Sequence, residues 1–364
     1  MVTKNKYFTA SLLLWNKNIN NRPMPWKGEK DPYKIWLSEI ILQQTRVEQG
    51  WDYYNRFVAA FPTIEKLANA PETKVFKLWE GLGYYSRCKN LITTAQFIAK
   101  ECNGKFPDNY DEILNLRGVG PYTAAAIASF AYNLPYAVVD GNVFRVLSRF
   151  FEKSIAIDST EGKKTFTTLA NELLNKKQAG IYNQALMDFG AVVCKPKLPL
   201  CEECFLQTKC AAYLKGLVNV LPLKEKKIKQ KVRYFFYFIT EHKGKVYIRK
   251  RGKKDIWENL YEFVLFETAE VIEIEQLINL PAFITVFKKN TFTVQRISKL
   301  YSQKLTHQTI HGQFIKIKLN KITGLAKGVL DGYQAVDEKE LAVLPFPKFI
   351  TSYLKDKNVS LNLL

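Results

Sequence analysis

Two carboxylates and four thiols stand out as residues whose surroundings suit chemistry. Glu39 lies in KIWLSEIILQQT; on a helix it shares a side with Ile35, Trp36 and Leu42, at offsets of three and four. A glutamate on an apolar face is uncommon, and desolvation there raises its pKa. That is how a carboxyl stays protonated as a general acid near neutral pH. The plain alternative is a buried glutamate bonded to a backbone or serine partner. Asp140 closes the apolar run of AVVDGNVFRVLSRF, at the start of a helix and just before Gly141 and Asn142. The commonest task of such a residue is N-capping. The chemical one is a carboxylate kept ionised by the helix N-terminus, facing a developing cation.

Four of the six cysteines fall in CKPKLPLCEECFLQTKC: Cys194, Cys201, Cys204 and Cys210, with gaps of six, two and five residues. Thiolates converging from one short loop suit a metal or a cluster, and this spacing leaves zinc and iron–sulfur both open. Two disulfides are the alternative, which a reducing compartment disfavours. His242, His307 and His311 lie far from the cysteines in sequence, so an all-cysteine site is expected. Cys88 and Cys102 read as buried small hydrophobes.

A third feature is LRGVGPYTAAAI, residues 116–127. Gly118 and Gly120 allow a tight turn and close backbone approach, and the turn feeds a helix whose free N–H groups and positive dipole end favour an anion. A DNA phosphate fits such a site without any reading of sequence. A plain interhelical connection is the competing reading.

These residues need elements to hold them. The 364-residue chain is long enough for two or three domains, and 47% hydrophobic with 13% aromatic residues is enough to bury real cores. Fifty-four Lys and Arg against 34 Asp and Glu give a net charge of +20, which favours a polyanionic partner, nucleic acid before membrane surface. No run of about eighteen apolar residues suggests a membrane span. The N-terminal MVTKNKYFTASLLLWNK reads as an amphipathic helix and not an export signal, so a cytoplasmic location is expected.

Up to about Tyr213 apolar residues recur at helical spacing. LPLKEKKIKQKVR, residues 221–233, carries five Lys and one Arg against one Glu and reads as a solvated linker that could also touch phosphates. Beyond it VRYFFYFIT, KVYIRK, FITVFKK (Phe283–Lys289) and GQFIKIKL read as strands, with a hairpin turn at His242–Gly244, and the chain returns to helix from Asp337. The expected fold is therefore a helical N-terminal region followed by an α+β C-terminal domain, with no internal repeat.

In this order the hairpin, VDGNVFRVLSR and the four-cysteine run resemble the endonuclease III superfamily of base-excision DNA glycosylases over about the first 213 residues. Within it, RPMPWKGEKDPYKIWLSEIILQQTRVEQG and WEGLGYYSRCKNL are similar to the MutY family of adenine DNA glycosylases. The resemblance implies a helix-hairpin-helix glycosylase region at 1–214, comprising a six-helix barrel at about 30–136 and an iron–sulfur module from 1–29 plus 137–214. A basic linker at 215–230 and a MutT-like (Nudix-fold) domain at 231–364 follow. It implies monofunctional removal of adenine mispaired with 8-oxoguanine or guanine in duplex DNA, by a monomer. Glu39 would be the acid and Asp140 the carboxylate beneath the cationic sugar, with Tyr122 and Asn142 lining the same site. Cys194, Cys201, Cys204 and Cys210 would hold a structural [4Fe–4S] cluster. Gln44, Thr45, Leu82 and Tyr84 match positions that wedge the duplex and approach 8-oxoguanine, while Gly118 and Gly120 grip phosphate.

WENLYEF (Trp257–Phe263) is the best-matching piece of the C-terminal domain, and the acidic FETAEVIEIEQLI lacks the REXXEE pattern of a Mg²⁺-dependent pyrophosphate hydrolase. DNA recognition is the expectation there. Where the family has an FSH-type loop this chain has Leu305-Thr306-His307, losing an aromatic face and keeping a hydroxyl. Among rivals, a glycosylase/lyase needs an amine for a Schiff base, and this chain has Tyr122 at the matching position. A mismatch thymine or uracil glycosylase also suits Tyr122, though not Glu39 in its QQT context. A non-enzymatic iron–sulfur DNA-binding protein would not need the Glu39 and Asp140 pair.

Overall fold

The computed structural model describes residues 2–225, 230–287, 292–320 and 332–356; the basic run at 221–233 thus lies partly outside the described residues. The chain forms two compact units, Met1–Asn69 with Asn90–Lys227 and Ala70–Lys89 with Ile228–Leu364. The α-helices before the sheet are α1 (Val2–Asn18), α2 (Pro32–Leu42), α3 (Val47–Ala60), α4 (Ile64–Ala68), α5 (Glu72–Trp79), α6 (Tyr85–Glu101), α7 (Tyr110–Asn115), α8 (Pro121–Tyr132), α9 (Gly141–Phe151), α10 (Thr160–Leu173), α11 (Ala179–Val192) and α12 (Ala211–Leu214).

Local signals set the helix ends that matter for the site. Asp31 caps α2 by accepting from the Tyr33 N–H, and Pro32 takes the first helical position, where its missing N–H costs nothing. Pro121 does the same for α8, which ends on Asn133 in the left-handed conformation. One core is built from Phe8, Leu12 and Trp15 of α1 against Val146, Leu147 and Phe150 of α9, Phe166 of α10 and Phe189 of α11. The chain start is thus packed on helices that follow the hairpin, while α2 lies against α3 and α8.

The C-terminal part is a mixed sheet of β1 (Lys231–His242), β2 (Lys245–Lys250), β3 (Tyr261–Glu262), β4 (Val264–Thr268), β5 (Phe292–Ile297), β6 (Tyr301–Lys304), β7 (Gln308–Leu319) and β8 (Gln334–Val336). Strand β1 pairs in parallel with β7 and antiparallel with β2 and β4. Its Phe235–Thr240 run is buried throughout because both faces are covered. Phe236 and Phe238 face the core with Phe283 and Phe287, while Tyr237 stacks on Phe314. The β1–β2 turn is the two-residue Lys243-Gly244, both with positive φ, as a tight hairpin requires.

One predicted strand is overturned, and Cys102, expected to be buried like Cys88, is only half-buried. Phe283–Phe287 of FITVFKK is not strand but belongs to helix α14 (Pro281–Phe287), which follows α13 (Ile274–Ile278); Lys288 and Lys289 lie outside the described residues. Phe283 and Phe287 are buried and Ile284 and Thr285 exposed, a four-residue spacing that outweighs the β propensity of the side chains. After β8 the chain ends its described part in α15 (Glu338–Val343) and α16 (Lys348–Leu354).

Candidate active site

Helices α2 and α8 and the N-terminus of α9 bring three of the expected residues together. Glu39 is 4% exposed, and burial pushes its carboxyl up to about 7. A hydrogen bond from the Tyr122 side chain works against that rise, and the Asp140 charge adds to it. Tyr122 stands in the first turn of α8, and burial holds its phenol well above the usual range, so it remains a donor. Near neutrality Glu39 therefore keeps a protonated population that an exposed glutamate would lack. That is the poise a general acid needs.

Asp140 does cap α9, and it does more. Its Oδ1 accepts from the Val143 N–H at 2.7 Å and its Oδ2 from Asn142 Nδ2 at 2.7 Å. Burial raises its pKa, while those two donors and the Arg145 charge pull the other way. Arg145 Nη2 donates to Asn142 Oδ1 at 2.8 Å and to the Gly190 carbonyl at 2.7 Å, and its Nε to the Cys194 carbonyl at 2.8 Å. Asn142 is thus oriented from both ends, toward Asp140 by its amide and from Arg145 by its oxygen. Helix α11 approaches so closely that a Cβ at Gly190 would stand 2.6 Å from Asn142 Cβ.

A cavity of about 210 Å³ opens beside Glu39, lined among others by Trp26, Lys27, Glu29, Ser38 and Gln184. Sequence reading missed this wall. Residues 20–31 carry no periodicity, and Gln184 looks like any half-polar helix position. One signal was available: Asp188, a lone acid in ALMDFGAVV of α11, obeys the rule that flagged Glu39 and is fully buried.

The hairpin joins α7 to α8. Gly118 has φ +79°, and a Cβ there would stand 2.8 Å from the Asn90 side chain. Gly120 is the N-cap residue of α8 and brings no side-chain cap, which leaves first-turn N–H groups for an outside acceptor. Gln44 is exposed with φ +57°, and Thr45 follows in the same turn. Leu82, Tyr84, Thr306 and His307 belong to the other unit. There Leu82 is buried, and Thr306 and His307 form the exposed tip between β6 and β7. The Tyr84 hydroxyl is hydrogen-bonded to Thr306 Oγ1.

All six cysteines are free. Cys194, Cys201, Cys204 and Cys210 line one pocket with Phe189 and Arg149, whose Nη1 lies 3.4 Å from Cys194 Sγ. Burial pushes the Cys204 thiol up to about 12, with the neighbouring sulfurs adding to it. Thiolates gathered here would need a cation. Among the described residues no three His, Cys, Asp or Glu side chains already stand at the spacing that holds a metal ion. Four soft donors facing one pocket nonetheless fit a thiolate-bound group.

Residues 37–175 match the model of the HhH-GPD superfamily base excision DNA repair protein, and residues 235–356 that of the NUDIX domain. An adenine DNA glycosylase of Buchnera aphidicola subsp. Baizongia pistaciae is 33% identical over 354 residues, spanning 96% of this chain and 97% of that protein. The adenine DNA glycosylase of Mus musculus is 39% identical over 229 residues, 59% of this chain and 44% of that protein. Among solved structures, a thermostable thymine-DNA glycosylase superposes with a TM-score of 0.55 at 31% identity, covering 58% of this chain and 98% of that one. A non-covalent endonuclease III–DNA complex, at 21% identity and TM-score 0.50, shares the fold of the helical region. The match that runs through both the helical region and the sheet domain is the decisive one: the chain belongs to the adenine DNA glycosylase family.

Proposed function

We propose that the chain is a monofunctional DNA glycosylase that removes adenine mispaired with 8-oxoguanine, or with guanine, from duplex DNA in base excision repair. The observation that carries this reading is the buried Glu39 poised at about 7 beside Asp140. Adenine is a poor leaving group until a ring nitrogen is protonated, and Glu39 supplies that proton to a base flipped into the adjoining cavity. As the C1′–N9 bond breaks, its electron pair goes to the base and an oxocarbenium-like sugar remains. Asp140, held by Asn142 and the Val143 N–H, faces that cation, and a water then adds to C1′, its proton passing to the Glu39 carboxylate left by the first step and restoring the acid. Tyr122 donates to Glu39 and is a phenol, so no Schiff base forms and the strand stays intact.

The excising machinery belongs to residues 1–214, which the linker at 215–230 joins to a DNA-recognising domain at 231–364. In a cytoplasmic monomer, Gly118 and Gly120 grip phosphate, while Gln44, Thr45, Leu82, Tyr84, Thr306 and His307 engage the mispair. Cys194, Cys201, Cys204 and Cys210 hold a [4Fe–4S] cluster that fixes their loop and does no redox chemistry. The likeness to a thymine-DNA glycosylase favours a second reading, excision of mismatched thymine, but it spans only 58% of the chain.

Single-turnover assays on duplexes with A opposite 8-oxoguanine, A opposite G, and T opposite G separate the readings. Adenine release from the first, without strand cleavage before alkali, is the expected result. Release of thymine alone would transfer the assignment to the second reading, and release of neither base would defeat both.

A further inference from the structure

We propose that Asp188 is a positioning residue of the base cavity, whose buried carboxylate turns the Gln184 amide so that its carbonyl oxygen is left to accept from an exocyclic amino group of the base. The inference rests on the activity proposed above and deepens its substrate choice. Asp188 lies on α11 with a side chain 0% exposed. Its Oδ1 accepts from Arg22 Nη1 at 2.9 Å and from Gln184 Nε2 at 3.0 Å. Its Oδ2 accepts from Asn20 Nδ2 at 2.9 Å and from Lys27 Nζ at 3.2 Å. A carboxylate offers about four acceptor sites, so these donors fill it.

Two consequences follow. Lys27 also donates to the Arg22 carbonyl at 3.1 Å, so the segment from Asn20 to Lys27, which supplies part of the cavity wall, is tied to α11 through one buried atom pair. The second concerns Gln184, one helical turn before Asp188 and in the lining of the same cavity as Glu39. A carboxylate accepts and cannot donate, so the end of the Gln184 amide that faces it must be the NH2 group. The carbonyl Oε1 is then at the opposite end. A base with an amino group meets an acceptor, whereas a base with an oxo group at that position sets oxygen against oxygen. Sites built around such a bond discriminate strongly because the mismatch strands a desolvated polar atom.

The test compares single-turnover release of adenine and of hypoxanthine, which differ in amino against oxo at one ring carbon, each opposite 8-oxoguanine. Asp188→Asn keeps the shape of the hub but offers a donor as well as an acceptor, so the Gln184 amide loses its enforced orientation. The variant of the 364-residue chain is expected to keep its binding to an uncleavable duplex while the adenine-to-hypoxanthine rate ratio shrinks roughly tenfold. A merely structural role would slow both bases by the same factor, and that result, or an unchanged ratio, overturns the inference. Should Asp188→Asn fail to fold, Gln184→Leu leaves the other three ties in place and must show the same narrowing; a preserved ratio there overturns it equally. A wild-type chain that releases neither base defeats the activity and this inference together, whereas an active wild type with an unmoved ratio in the variants defeats the role of Asp188 alone.

Discussion

Glu39 is held against its own ionisation. Its carboxyl ionises at about 7 in the folded protein against 4.5 for an unhindered side chain, because burial penalises the charged form. An acid with a raised folded pKa makes folding less favourable as pH climbs from the lower value to the higher, and the loss is complete above the higher one. Glu39→Gln should therefore be more stable than wild type at pH 8 by up to about 3 kcal/mol, with the gap closing towards pH 4. Denaturant titrations at the two pH values check this, and no gain at pH 8 would mean that Glu39 ionises without penalty. Activity runs the other way. Wild-type base release should fall as pH rises through about 7, and Glu39→Gln should lose at least about 100-fold of the rate. Asp140→Asn should lose a comparable factor while duplex binding, measured by fluorescence anisotropy, persists; near-normal release would take Asp140 out of the reaction. At this scale the sequence was informative where a charge interrupted an apolar face, as at Glu39. Asp188 carried the same signal. Its meaning was hidden because its four donors come from a loop with no pattern and from a helix turn that spacing alone does not connect to it.

At the scale of elements, α9 links two kinds of residue. Its N-terminus carries Asp140 and Asn142, and one and two turns on, Arg145 and Arg149 reach the carbonyls of Cys194 and Lys195. Gly190 lets α11 close on the same end of the helix. Gly190→Ala must push Asn142 aside, and a misplacement of that order costs about 100-fold in rate with little change in duplex affinity; single-turnover kinetics with a binding titration separate the two. Gly118→Ala acts elsewhere, because a left-handed residue against Asn90 strains the hairpin. It should weaken duplex affinity and leave the rate of bound substrate near wild type. Among elements, the hairpin, α2, α9 and the β1–β2 pair were legible because their caps, turns and periods agree with their packing. Helix α14 was not. Its phenylalanines and β-branched residues favour strand, and only the tertiary demand to bury Phe283 and Phe287 on one face decides for helix.

For the whole molecule, charge and thiols dominate. A net charge of +20, with the phosphate grip proposed for the hairpin, implies that duplex affinity falls steeply with salt, by about 1000-fold or more between 50 and 200 mM if six or more phosphates are neutralised. A nearly flat dependence would leave the basic composition without that purpose. The purified protein should be brown and contain iron, and Cys204→Ser should melt at a lower temperature; a colourless zinc-loaded sample would remove the cluster.

The C-terminal compact unit takes in residues 70–89 as well as everything from Ile228. Lys77 donates to the Leu344 carbonyl, Glu80 accepts from the Phe346 N–H, and Lys89 pairs with Glu258. A sheet domain that borrows twenty residues from inside the helical region is not a cassette that recombination can exchange at one junction. Grafting a relative's C-terminal domain onto this chain would have to carry matched residues at 77, 80 and 89 with it, so the two parts of the gene are bound to diverge in step.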